Sequence, residues 1–245
     1  LLRIDASGVH YRELNRRVKE AAAAGERDIV LDNVNGQRYI GTGVDAELNI
    51  EINGVPGNDL AAFMNGPRIR VAANGQDGIG NTMNAGSVVV HGMAGDVLGY
   101  GMRGGRIFIR DDVGYRVGIH MKEYKKQVPV LVAGGCAADF FGEYMAGGIL
   151  VLLGLSRPPG KPLAGDYLGT GMHGGVIYLR GEVDPYRMGR EVAVFELDDG
   201  DWKVLGPLLA DFCACFGLDA DEVAKGPFVK LKAVSSRPYG RLYCY

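Results

Sequence analysis

The chain has 245 residues, 47% of them hydrophobic, a formal net charge of −2 and 39 glycines. That is enough apolar material for a full core, and the near-neutral balance gives no electrostatic reason to expect nucleic acid or an anionic membrane as partner. Glycine lacks the triplet period of collagen, no apolar run reaches the ~18 residues of a membrane span, and Cys136, Cys213, Cys215 and Cys244 show neither C-x-x-C nor zinc spacing, as expected of reduced thiols in a cytoplasmic protein.

The opening LLRIDASG has no methionine and lacks the basic-then-apolar layout of a signal peptide. Residues 9–24 read as a helix with Val9, Leu14, Val18 and Ala21 or Ala22 on its apolar stripe, Asp5 or Ser7 as N-cap and Gly25 as C-cap. Residues 1–35 are accordingly taken as a helical cap.

From 36 to 200 the chain repeats. With the second glycine of each Gly-Gly pair as pivot, Gly86, Gly105, Gly148 and Gly175 superpose, with Pro67 in the same column. Three residues earlier stand Met64, Met83, Met102, Met145 and Met172; six earlier, Ala61, Gly80, Gly99, Gly142 and Gly169; seven earlier, Leu60, Ile79, Leu98, Phe141 and Leu168. Apolar residues follow two and four positions after the pivot, as in Ile107 and Ile109, which is the period of a strand with one buried face. Weaker copies pivot near Ala46 and Val128 and bring the count to about seven. A unit near 19 residues with one clear strand cannot fold alone, so neighbours must stack and share a core. The repeat therefore predicts an all-β fold with flanking helices: a right-handed parallel β-helix, its hand taken from the usual crossover preference, with the Met column inside.

GYGMRGG at 99–105 and GTGMHGG at 169–175 contain G-x-G-x-x-G, but each runs into a strand rather than a helix. A dinucleotide site needs the helix; these glycines shape turns. Residues 204–216, with Leu208, Leu209, Phe212 and Phe216 on one side, read as a second helix, and an end helix would cover an exposed sheet edge. The last stretch, SSRPYGRLYCY, reads as an extended tail, and 201–245 form the third region.

Nine residues before the pivots stand Asn58, Asp77, Asp96, Asp139 and Asp166. This column is either a carboxylate face, for cations or glycan cleavage, or a set of turn residues bonded to the backbone at their own corners; Asn58 favours the second. His10, His91, His120 and His173 are scattered without metal-site spacing. The charged segment 114–127 interrupts the repeat and is expected to project; Arg116, His120, Lys122, Glu123, Glu143 and His173 are the candidate interface residues. The prolines of SRPPGKP, 156–162, make a rigid loop.

GIGNTMNAGSVVVHGMAGDVLGYGMRGGRIFIRDDVGYRVGIHMKEY, followed by GEYMAGG and GTGMHGG, resembles the GXGXG domain of glutamate synthase, the C-terminal β-helix of its large subunit, over about residues 36–195. The chain is similar to a stand-alone form of that domain, a family that also supplies one subunit of formylmethanofuran dehydrogenase and a small subunit of N-methylglutamate synthase. The resemblance implies a scaffold without catalytic residues, set beside glutaminase-like and synthase-like subunits that carry the FMN and iron–sulfur clusters, with no cofactor or metal on this chain and self-association left open. Its signature is structural: Gly80, Met83, Gly86, Gly99, Met102, Gly105, Gly142, Met145, Gly148, Gly169, Met172 and Gly175. A carbohydrate-active β-helix enzyme using the Asp column is the alternative of another class.

Overall fold

A computed structural model describes residues 1–234. Its strands are β1 (Leu2–Asp5), β2 (Asp28–Asn35), β3 (Asn49–Val55), β4 (Asn65–Val71), β5 (Ala85–Val90), β6 (Arg106–Ile109), β7 (Val130–Ala133), β8 (Ala146–Leu152), β9 (Gly174–Arg180), β10 (Val192–Glu196) and β11 (Phe228–Ala233), with helices α1 (Tyr11–Ala23), α2 (Asp199–Phe216) and α3 (Ala220–Ala224). They form one sheet, β1 to β9 parallel in chain order, then β11 and β10. Ile50, Ile69, Val88, Ile107, Leu131, Leu150 and Ile177 lie side by side across β3–β9, one strand per winding. This is the expected parallel β-solenoid. It makes about six complete turns from β3 to β9, against the seven coils expected, and β2 adds a leading strand.

The interior is built from continuous ladders. Met64, Met83, Met102, Met121, Met145 and Met172 are all fully buried, as are Ile79, Leu98, Val117 and Phe141 of the neighbouring ladder. Val117, Gly118 and Met121 thus occupy the repeat columns, and only the stretch after Met121 is longer than in other turns. The expectation that 114–127 leaves the repeat is corrected accordingly: the added residues after Met121 had displaced this copy from its pivot. Two weak copies were also out of register. Leu131 and Ala133, not Val130 and Val132, align with Ile107 and Ile109, so the pivot is one residue beyond Val128; Ile50 aligns with Ile69, two residues beyond the Ala46 placement.

The ends close in different ways. Leu14, Val18 and Ala21 of α1 join the solenoid core beside Ile4 and Leu31, covering its first turn. The N-cap is His10, whose Nδ1 accepts the Arg12 N–H, rather than Asp5 or Ser7, and the C-cap is Ala24, one residue before Gly25. Helix α2 begins five residues earlier than expected because Asp198 and Asp201 form a reciprocal capping box. It does not cover the end of the rod. Leu205, Leu208, Leu209 and Phe212 pack on Phe108, Val132, Val151 and Tyr178, the outward side chains of β6–β9. The far edge of β9 is taken instead by β11, antiparallel, and then β10. The tail at 235–245 and Cys244 lie outside the described residues; among those described, no helix is long and apolar enough to cross a membrane.

Candidate interaction face

Each turn bends at one corner by the same device. Every second residue there has positive φ: Gly78, Gly80 and Thr82; Val97, Gly99 and Gly101; Arg116, Gly118 and His120; Phe140, Gly142 and Tyr144; Tyr167, Gly169 and Gly171. Glycine suits all three positions because it adopts the left-handed region without a Cβ clash. The middle one carries a second constraint at Gly80 and Gly142, although Ala61 fills the same position in an earlier turn. A Cβ on Gly80 would stand 2.3 Å from Cδ1 of Ile107, and one on Gly142 2.5 Å from Cδ1 of Ile177, so the corner glycine makes room for a strand side chain of the shared core.

Backbone bonds stitch the corners together. Gly80 N–H donates to the Leu60 carbonyl of the preceding turn, and Thr82 N–H to the Tyr100 carbonyl of the following one. The aspartate column adds to this. Oδ1 of Asp77 accepts the backbone N–H of Asp96, Asp96 that of Tyr115, and Asp139 that of Asp166, each at 2.9 Å. The carboxylates therefore bond the next turn and not their own corners as expected. Glycine before the receiving residue permits it: a Cβ on Gly95 or Gly114 would lie 2.0 Å from the aspartate oxygen. A glycan-cleaving face finds no support here, because Asp77, Asp96 and Asp139 each have one carboxylate oxygen committed to backbone and Asp166 pairs with Arg187.

What projects from the corners is aromatic and basic. His120 stacks on Tyr144 with ring centroids 5.4 Å apart, and Tyr100 meets His120 edge-on at 5.8 Å. Phe140 stacks on Tyr167 at 4.8 Å, and the Arg116 guanidinium lies 4.4 Å from the Phe140 centroid while pairing with the buried Glu143 carboxylate. Tyr100 and Tyr167 remain 41% and 55% exposed, so the ladder is not closed over by the chain's own described residues. One column along, Arg103 and Lys122 follow Met102 and Met121 in successive turns, and the Lys122 N–H bonds the Met102 carbonyl. Arg103, Lys122 and Lys126 have no acidic partner among the described residues. Lys125 lies over the Tyr124 ring.

Of the six candidate interface residues, Arg116, His120 and Glu143 come together at this corner and Lys122 stands beside them. The Glu123 carboxylate is drawn inward to the Gly148 N–H. His173 is exposed, two turns along the Lys122 column, its Nδ1 3.2 Å from the Gly171 carbonyl. Sequence reasoning passed over Phe140, Tyr144 and Tyr167. The signal that could have found them is large residues at corner positions where some copies keep glycine, as at Gly78, Gly101 and Gly171. No group of three His, Cys, Asp or Glu among the described residues is placed to hold a metal ion.

Alternating left-handed corners, one strand per turn and a buried Leu/Met ladder define a glycine-cornered parallel β-solenoid. The chain belongs to the GXGXG family: the GXGXG motif matches residues 25–222. An uncharacterised protein of Methanocaldococcus jannaschii is 46% identical over 98% of this chain and 95% of its own length. The ferredoxin-dependent glutamate synthase of spinach chloroplasts (Spinacia oleracea) is 29% identical over 63% of this chain, which spans only 9% of that enzyme. Among solved structures, a chain of the formyltransferase/hydrolase complex FhcABCD from Methylorubrum extorquens, in complex with methylofuran, superposes with a TM-score of 0.59 at 17% identity, covering 92% of this chain and 88% of that one.

Proposed function

We propose that the chain is a non-catalytic solenoid subunit of a glutamate-synthase-like oxidoreductase complex, and that the aromatic and basic corner is where it meets its partners. One observation carries the reading. Arg116, His120, Phe140, Tyr144 and Tyr167 occupy left-handed corner backbone in three successive turns, where Gly78, Gly101 and Gly171 show that glycine also serves. Such conformations cost about 1–2 kcal/mol for a side chain, and strained residues cluster at functional sites. Stacking offsets part of the cost, yet Tyr167 stays more than half exposed.

In this reading the partners are glutaminase-like and synthase-like subunits, the latter carrying FMN and iron–sulfur clusters, in the cytoplasm. The rod holds their sites in fixed relation, since small misplacements between coupled sites are costly. A second reading has its own observation: the FhcABCD chain matches nearly the whole of this chain, whereas the glutamate synthase match covers under two thirds. That favours a subunit of a formyl-transferring assembly, equivalent to the GXGXG-type subunit of formylmethanofuran dehydrogenase.

Mild purification of the tagged chain from its own cells, with the companions identified by mass spectrometry, tests both. Stoichiometric glutaminase-like and flavin subunits support the first reading, and formyltransferase-type subunits the second. Glutamate formation from glutamine, 2-oxoglutarate and a supplied two-electron donor by the chain alone refutes the scaffold role.

A further inference from the structure

The far end of the rod carries a feature that a spacer does not need. Between the proline loop at 156–162 and the segment 181–187 lies a cavity of about 690 Å³, within the range of small-molecule sites. Its floor is made by inward side chains of the last turn, Leu163, Leu168 and Leu179, and its walls include Pro158, Pro162, Val183 and Pro227. Three cations line it. Lys161 is held by Asp112 at 2.9 Å and Arg187 by Asp166 at 2.6 Å. The backbone N–H of Arg157 donates to the Gly154 carbonyl, but its guanidinium has no hydrogen bond or ion pair among the described residues.

We propose that this cavity binds an amphipathic monoanion, its apolar body against the prolines and Val183 and its carboxylate on the Arg157 guanidinium. The planar fork of arginine matches a carboxylate in two parallel bonds. Apolar walls around a free guanidinium select an apolar body with one charged head. A second negative charge is disfavoured because the Glu182 and Asp184 carboxylates also line the cavity. Asp184 already accepts the Tyr186 N–H. Glu182 carries no bond of its own among the described residues, so a zwitterion is the competing ligand class. Gly154, with φ of +58°, starts the loop, where a side chain would strain the backbone and press on Cδ1 of Leu163, 2.6 Å from the Cβ position.

Isothermal titration calorimetry of the full chain with octanoate, 1-octanol and 2-aminooctanoate tests the assignment. Octanoate is expected to saturate at one site, 1-octanol to bind at least about tenfold more weakly, and Arg157→Gln to weaken octanoate by about tenfold, one charged contact's worth. Arg157 lies in an exposed loop, so the variant should keep the wild-type melting temperature, measured alongside. Equal affinity for octanol, octanoate binding indifferent to Arg157→Gln, or tighter binding of 2-aminooctanoate would each overturn it. So would the absence of saturable binding. None of these results bears on the partner-binding corner, which stands or falls separately.

Discussion

At the scale of single residues, the corner positions differ in what they demand. Gly80 and Gly142 are needed for space as well as for backbone, whereas Ala61 fills the same position of an earlier turn at φ 61° and Val97 shows that an outer position accepts a side chain. Gly80→Ala should therefore cost about 3 kcal/mol in urea unfolding, combining left-handed strain with overpacking against Ile107. Val97 is a β-branched residue held at φ 52° with its side chain only partly buried. Val97→Gly should change stability by less than about 0.5 kcal/mol, because relief of strain offsets the added freedom of the unfolded chain. A loss of several kcal/mol there would mean that Val97 packs in a way the corner geometry does not require.

At the scale of elements, register was readable wherever one face of a strand is buried and the other is not. Ile107 and Ile109 could be placed from alternation. Val130-Leu131-Val132-Ala133 could not, because all four are buried, Leu131 and Ala133 in the solenoid and Val130 and Val132 under α2. A one-residue slip there exchanges the two faces, and a strand covered on both sides carries no pattern to forbid it. The docking of α2 was likewise unreadable, since its anchors come from three separate segments. The Tyr178 hydroxyl donates to Asp201 at 2.9 Å, and Lys230 of β11 pairs with both Asp201 and Asp198. Burial raises the Asp201 carboxyl, but bonds from the Asp198 N–H, Lys230 and Tyr178 outweigh it and hold the group below the usual range. Lys230→Met strands that carboxylate, so it should lower the thermal midpoint much more than Lys225→Met, whose pair with Glu222 is exposed.

His91 gives the pH dependence of the same region. It follows β5, accepts the Arg70 Nε–H at 3.0 Å and meets Phe216 of α2 edge-on. Burial, then the charges of Arg70 and Arg110, hold its imidazole below the ordinary value of 6.5. The unfolded chain therefore takes up a proton that the folded chain resists, and stability from this site is complete above about pH 6.5 and declines as the pH falls below it. Chemical denaturation between pH 7 and 5 should show that decline, and His91→Gln should flatten it. An unchanged slope would show that other groups set it.

For the whole molecule, the solenoid was legible because identical chemistry recurs at nearly constant spacing, and stacking is the one arrangement that buries every copy. The candidate interaction face was half legible. Arg116, His120, Lys122 and Glu143 stood out as charged departures from the repeat, whereas Phe140, Tyr144 and Tyr167 read as ordinary apolar residues until the backbone placed them on outward corners. The closing pair β11 and β10 was missed because their partners are far apart in the chain and antiparallel to the rest. The central claim, that the chain is a stiff body joined to its partners through that corner, is tested most directly by amide hydrogen exchange on the chain inside and outside its native assembly. Slow exchange through β4–β9 in both states, with added protection at 97–101, 116–121 and 140–146 in the assembly, is the expected result. Protection confined to the open face of β2–β4, or none at the corners, would contradict it.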